Sequence, residues 1–213
     1  MTVRIYAGSL AGYYATTRDA TDRGALLGRL GRWFEDLQGS LDEHLSAPIS
    51  LVLDGQDQDR GRRLPSRSQD ALRLLAAYAE CSDLDWPTDM PRALSEDPAW
   101  QRVSAEDFSR CHFPQIQIPN FWVAGDFAFT ARQAMPDGDE WLLGSLDGLL
   151  DQLAVLNQKT LQHTAEDLIL HLQAELDADC CDFLMLAEHA LASVFEAAGH
   201  AQAVGGMLVI RGA

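Results

Sequence analysis

The two ends of this chain carry the residue pattern of β-strands, whereas the long stretch between them is dominated by helical periodicity. Residues 2–7 alternate apolar with polar side chains and are rich in β-branched and aromatic types. Residues 207–210 form an apolar run of strand length. Pairing these two strands would anchor both chain ends in one sheet. The sequence therefore predicts an α+β fold in which several amphipathic helices pack on a small sheet that includes both termini.

Apolar residues at three- and four-residue steps predict the helices between these strands. The most regular stripes lie in the last third of the chain, where Ser145 is placed to cap one helix and Gly199 to end another. Asp97 before Pro98 predicts a short capped helix. The predicted helices cover residues 26–45, 68–80, 98–100, 146–156, 164–176 and 180–198, and a further short helix is expected to begin at Ser104.

The other segments divide into strand candidates and surface loops. Strict alternation over residues 115–118 and apolar content over residues 121–123 predict one strand, which Pro119 would place at a bend or a sheet edge. Polar composition with glycine and proline is typical of exposed connections. Shorter strands are expected at residues 49–53 and 141–143, a turn or loop at residues 8–12, and surface loops at residues 54–67 and 125–139.

Length and composition indicate a single globular domain over residues 1–213. Hydrophobic residues make up 47% of the chain, which is enough for a sizeable core. No apolar run approaches the roughly 18 residues of a membrane span, and the first residues lack the basic and apolar regions of a secretory signal. Cys81, Cys111, Cys180 and Cys181 have neither zinc-site spacing nor a C-x-x-C pair, so reduced thiols are expected. These features predict a cytoplasmic protein.

The chain has a large surplus of negative charge, with 32 Asp and Glu against 16 Lys and Arg and a formal net charge of −16. Such a protein repels phosphate backbones and anionic lipid surfaces, which disfavours binding to nucleic acid or to membranes. The same surplus favours a basic protein as partner, because opposite charges speed association. The expected contacts are the carboxylates of two acidic loops, namely Asp54, Asp57, Asp59, Asp137, Asp139 and Glu140.

His163, Asp167 and His171 form the pattern closest to a metal site. Four-residue steps place the three on one stripe of a helix, and these residue types can ligate zinc. The apolar residues of the same helix point roughly the opposite way, which predicts that the stripe faces solvent unless another element covers it. No metal and no cofactor is therefore expected. The chain also lacks the motifs of a phosphate-binding loop, a dinucleotide fold, a calcium loop and a nucleophile elbow.

Several short motifs are spread over the first 160 residues. They are IYAGSL at residues 5–10 followed by Tyr13 and Tyr14, DPAWQR at 97–102, FW at 121–122 with DFAFT at 126–130, and GS at 144–145 followed by LL at 149–150, LN at 156–157 and Thr160. Together they resemble segments of a set of bacterial single-domain proteins to which no activity is assigned. The resemblance implies a bacterial, single-domain protein and carries over no catalytic residue.

The absence of catalytic spacing beside so much negative charge favours a binding protein over an enzyme. The specific expectation is an immunity protein that neutralises a basic toxin. The alternative is a small hydrolase-type enzyme with a site near the strand ends, using Asp126, His112 and Tyr13 or Tyr14. A third hypothesis is a homodimeric structural protein with tryptophan-lined contacts.

Overall fold

The computed structural model describes residues 2–17, 23–41, 44–45, 48–55, 60–105, 107–108, 110–177 and 179–212. These residues form eight α-helices: α1 (Leu10–Thr17), α2 (Arg23–Leu41), α3 (Ser68–Glu80), α4 (Pro98–Ser104), α5 (Pro114–Gln117), α6 (Leu146–Lys159), α7 (Ala165–Gln173) and α8 (Phe183–Ala203). They also form six strands: β1 (Thr2–Gly8), β2 (Arg60–Pro65), β3 (Phe121–Val123), β4 (Ala131–Ala134), β5 (Glu140–Ser145) and β6 (Met207–Gly212). The expected α+β class is confirmed.

The six strands form one mixed sheet in the order β2-β1-β6-β3-β5-β4. The two terminal strands, β1 and β6, are antiparallel neighbours, with Ile5 opposite Ile210. The sequence predicted this pairing. Strands β3 and β5 are parallel, with Phe121 opposite Leu143, and β4 pairs antiparallel with β5.

Alternate strand residues divide between two buried clusters, one on each face of the sheet. On β1, Val3 and Ile5 join the cluster formed with α3, α6 and α8, whereas Tyr6 joins the cluster formed with α1 and α2. On β6, Leu208 and Val209 divide in the same way. Because successive side chains of a strand point to opposite faces, the sheet is covered by helices on both sides.

The two edge strands lie in segments for which the sequence predicted loops. Strand β2 contains three arginines and lies beside β1, and β4 lies at the opposite edge beside β5. Exposed charge on edge strands prevents them from pairing with other chains. That charge also gave these strands the composition of loops, which explains the incorrect prediction.

The segment before β3 is a helix and not the predicted strand. Pro114 occupies the first turn of α5, and Gln115 and Gln117 are both buried. The side-chain Oε1 of Gln115 accepts a hydrogen bond from the backbone N–H of Ser145 at 2.9 Å, and Nε2 of Gln117 donates to the backbone oxygen of Arg73 at 2.9 Å. Because the glutamines are buried together with Ile116, the alternation of polar and apolar residues does not mark one buried and one exposed face, and it does not indicate a strand. Strand β3 itself is present, but at the centre of the sheet.

Several element boundaries also differ from the predictions. Helix α1 begins at Leu10, inside a segment expected to be a loop. Residues 49–53 contribute only a single bridge, between Ser50 and Ala124. Helix α8 continues past Gly199 to Ala203. In contrast, the predicted caps at Asp97 and Ser145 are present, each accepting hydrogen bonds from the first turn of its helix.

Candidate functional site

The six carboxylates predicted as partner contacts lie in two segments of the chain, and the structure describes four of them. Asp54 is exposed, whereas Asp57 and Asp59 lie outside the described residues. Asp139 lies in the hairpin between β4 and β5. Its Oδ2 accepts hydrogen bonds from Arg211, on β6, at 3.2 and 3.3 Å.

The third hairpin carboxylate, Glu140, accepts a hydrogen bond from Arg132 at 2.7 Å. Asp137 is half-buried beside these pairs, and its Oδ1 accepts from the backbone N–H of Asp139. Arginine therefore offsets the charge of two of the three predicted hairpin contacts.

The surplus of negative charge is concentrated in another part of the chain. Residues 146–203 contain 10 Asp and Glu but a single Lys or Arg, which is Lys159. This segment builds α6, α7 and α8 with their connections. We define the α6–α8 surface as the exposed side chains of residues 146–203. Counting charge segment by segment would have found it in the sequence.

The α6–α8 surface also carries most of the large exposed apolar side chains. Within the described ranges, six large hydrophobic residues are exposed: Trp86, Val155, Ile169, Leu170, Leu184 and Met185. Five of these six belong to α6, α7 or α8. The most exposed are Leu170 at 64% and Ile169 at 52%, both on α7.

Helix α7 is short, and its apolar contact with the core comes from the partly buried side chain of Leu168. Thr164 caps it with a reciprocal pair of hydrogen bonds, since Thr164 Oγ1 accepts from the backbone N–H of Asp167 and the Asp167 carboxylate accepts from the backbone N–H of Thr164. The backbone and hydroxyl of Thr164 lower the pKa of Asp167. All nine residues of α7 lie in the described range 110–177, and none is buried. Asp167 therefore serves as a cap, not as part of a ligand stripe.

His163 and His171 face α8 and share the carboxylate of Glu188. Nε2 of His163 lies 3.2 Å from Oε1 of Glu188, and Nδ1 of His171 lies 3.6 Å from Oε2. The side chains of His163 and Glu188 are only 16% and 17% exposed. Helix α8 therefore covers the two histidines, so they do not face open solvent. The sequence did not reveal Glu188, because no local spacing connects α8 with α7.

Two further polar contacts attach α7 to the rest of the molecule. Nη1 of Arg62, on β2, donates to the backbone oxygen of Leu172 at 3.0 Å. Buried His189, on α8, is hydrogen-bonded to the backbone of Ala174. Burial lowers the pKa of His189, and the nearby positive charges of Arg62 and His171 act in the same direction. Polar side chains thus hold both ends of α7.

The tyrosines of the enzymatic alternative lie on the opposite face of the sheet from the segment that carries His112. Tyr13 and Tyr14 are buried in the cluster on the α1 and α2 face of the sheet, whereas Phe113, next to His112, is buried on the opposite face. Nδ1 of His112 lies 2.6 Å from Oε2 of Glu80, at the end of α3. Asp126 is exposed in the connection after β3.

The neighbouring thiol of Cys111 is also unsuited to nucleophilic chemistry. Burial raises the pKa of Cys111 to about 11, and the nearby Glu80 carboxylate acts in the same direction. The thiol is therefore protonated at neutral pH, and the thiolate is the reactive form of cysteine. The four cysteines are free thiols, as expected, with Cys81 buried and Cys181 exposed.

Comparison of the chain with models of known protein families, with curated proteins and with solved structures finds no match. Of the helices in the described ranges, none combines the length and apolar character needed to cross a membrane.

Proposed function

We propose that this chain is a binding protein for a basic protein partner, which it contacts through the α6–α8 surface. The observation that carries the proposal is the coincidence of two features on these helices. Five large exposed apolar side chains, Leu170 most of all, lie in the segment with 10 acidic residues and one lysine.

This combination matches the anatomy of protein interfaces. Apolar side chains at the centre of an interface supply most of the affinity, and a polar rim surrounds them. Carboxylates around such a centre speed association with a positively charged partner and disfavour acidic ones. The partner that fits is a folded protein with Arg and Lys around an apolar contact area. The particular form that the sequence favours is a toxin, which the chain would neutralise as an immunity protein.

The proposal is tested by capturing proteins from a lysate of the native host on the immobilised chain. The expected partner has a basic isoelectric point and is released as the salt concentration rises, because screening weakens interactions between exposed charges. For the toxin form, the captured protein expressed alone should arrest growth of the host. Co-expression of this chain should restore growth.

Capture is informative only together with variants of the surface. Leu170→Ser, and separately the pair Glu166→Lys with Glu175→Lys, should reduce capture at least about tenfold, as expected for an interface anchor or rim charges. The matched control is Glu35→Lys with Asp36→Lys, which makes the same change of charge at exposed positions of α2. Absence of a basic partner, or equal capture by surface and control variants, would overturn the proposal.

A further inference from the structure

We propose that His163, His171 and Glu188 form a binding site for a divalent transition-metal ion, and that zinc is the ion which suits them best. The ion would link His163, which precedes the N-cap of α7, and His171 on α7 to Glu188 on α8. This inference does not depend on the proposed partner.

The separations of the three side chains suit a single metal ion. In a tetrahedral zinc site, nitrogen and oxygen ligands lie about 2.0–2.1 Å from the ion, which puts two ligand atoms about 3.4 Å apart. The two nitrogen–oxygen distances to Glu188 are 3.2 Å for His163 and 3.6 Å for His171. One ligand atom from each of the three residues lies within 4.8 Å of the others. Small side-chain adjustments would complete the geometry.

The donor set indicates the class of ion. Two imidazoles and one carboxylate are the ligands of many zinc sites with an open fourth position, whereas magnesium and calcium prefer oxygen ligands. An open depression lined by Asn157, Gln158, Gln162 and His163 borders the group and offers a path for an ion and its water. The site would therefore bind an ion through three protein ligands and leave one position to water.

The nitrogen of His163 that would bind the ion has no hydrogen-bond partner within the described residues. This Nε2 atom is buried, and the carboxylate of Glu188 lies 3.2 Å from it. Burying a polar atom without a partner costs free energy. The rings of His163 and His171 also lie against each other, with centroids 4.5 Å apart. A bound cation would satisfy the buried nitrogen and draw both rings to one point.

The backbone around His163 is held in position before any ion binds. The side chain of Asn157, on α6, accepts from the N–H of His163 at 3.0 Å and donates to its carbonyl oxygen at 2.9 Å. His171 and Glu188 lie on helices, which fix their side chains better than loops do. The segment before α7, helix α7 and helix α8 thus supply one ligand each, and Asn157 on α6 holds the backbone of the first ligand.

The test is direct zinc binding to the full chain without an affinity tag, after removal of metal with a chelator. Titration with zinc alone should show one tight site per chain, read by calorimetry and by metal analysis after gel filtration. His171→Ala and Glu188→Gln should each weaken this site by more than about 100-fold, beyond the 10–100-fold typical of an outer-shell partner. His112→Ala is the matched control, since it removes a histidine that pairs with a glutamate elsewhere.

A second measurement protects the test against misfolded variants. Zinc should raise the thermal midpoint of the wild-type chain and of His112→Ala, but not that of Glu188→Gln, which keeps the shape of the side chain. Circular dichroism shows whether each variant is folded. Absence of tight binding to the wild-type chain would overturn the proposal. Equal affinity of Glu188→Gln and wild type would also overturn it, because zinc would then occupy other side chains such as exposed Cys181.

Discussion

Oε1 of Glu188 lies 3.2 Å from Nε2 of His163, across the junction between α8 and the segment that precedes α7. This contact and the shared pairing with His171 attach α7 together with the packing of Leu168 against the core, since no side chain of that helix is fully buried within the described range 110–177. A nine-residue helix is unstable alone in water, so its stability comes from these neighbours. The same helix presents Leu170, the most exposed large apolar residue described.

The backbone of α7 should open more often than that of α8. Exchange of amide hydrogens reports local opening, which needs less free energy where few apolar contacts are broken. Helix α8 has buried side chains along its length, including Leu186, Ala190, Leu191 and Val194. In metal-free protein we expect the amides of α7 to exchange at least about 100-fold faster than the central amides of α8, as followed by mass spectrometry. Equal protection of the two helices would contradict this account.

Gln115 should be one of the polar side chains most important for stability. It is 1% exposed, and its Oε1 accepts from the N–H of Ser145 while its Nε2 donates to the backbone oxygen of Phe129 at 3.2 Å. Gln115→Ala would leave buried backbone groups without partners, each at a cost of about 1–3 kcal/mol. Urea unfolding should show a loss of about 2–4 kcal/mol.

The matched control for this substitution is Gln158→Ala, at an exposed position of α6. Its unfolding free energy should stay within about 0.5 kcal/mol of wild type. If the two variants lost the same stability, the hydrogen bonds of Gln115 would not explain its burial.

Local patterns predicted the parts of the fold that depend on local physics. The pairing of β1 with β6 followed from two apolar terminal segments, and the Ser145 cap followed from one side chain and the next turn of helix. Gln115 shows where such reasoning fails, because its alternation with Ile116 suggested a strand although both side chains are buried. A buried glutamine gives no signal in a pattern of polar and apolar letters.

The candidate site was less predictable for a related reason. His163 and His171 were identified from their spacing, but their direction depends on how α7 packs against α8. Glu188 joins them only through that packing, and it is 25 residues away from His163 along the chain. Ile169, expected on the apolar face, is exposed, whereas Leu168 of the same helix packs against the core. One-sided periodicity indicates an amphipathic helix but does not say which neighbour covers it.

Two glycine substitutions should change stability in opposite directions. A Cβ at Gly206 would collide with the backbone oxygen of Gly8 at the start of β6, whereas a Cβ at Gly31 in α2 would meet nothing within 4 Å. Gly206→Ala should therefore cost several kcal/mol or prevent folding. Gly31→Ala should stabilise by about 0.5–1 kcal/mol, because alanine favours helix more than glycine does. Thermal and urea unfolding measure both, and destabilisation by Gly31→Ala would contradict the open surroundings of that residue.

His189 should make the protein less stable as the pH falls from 7 to 5. Burial lowers its pKa in the folded chain, and the charges of Arg62 and His171 lower it further. The unfolded chain, in which a histidine has a pKa of about 6.5, then takes up a proton that the folded chain does not. Because the unfolded state binds more protons in this range, the free energy of unfolding decreases as the pH is lowered through about 6.5.

Replacement of this histidine should flatten the dependence. Urea unfolding in the presence of a chelator should show a smaller loss between pH 7 and pH 5 for His189→Gln than for the wild-type chain. His44→Gln, which removes an exposed histidine, should leave the loss unchanged. The comparison uses the change with pH and not the absolute stability, so any packing cost of the glutamine cancels. An identical loss in His189→Gln and wild type would mean that other groups cause the acid sensitivity.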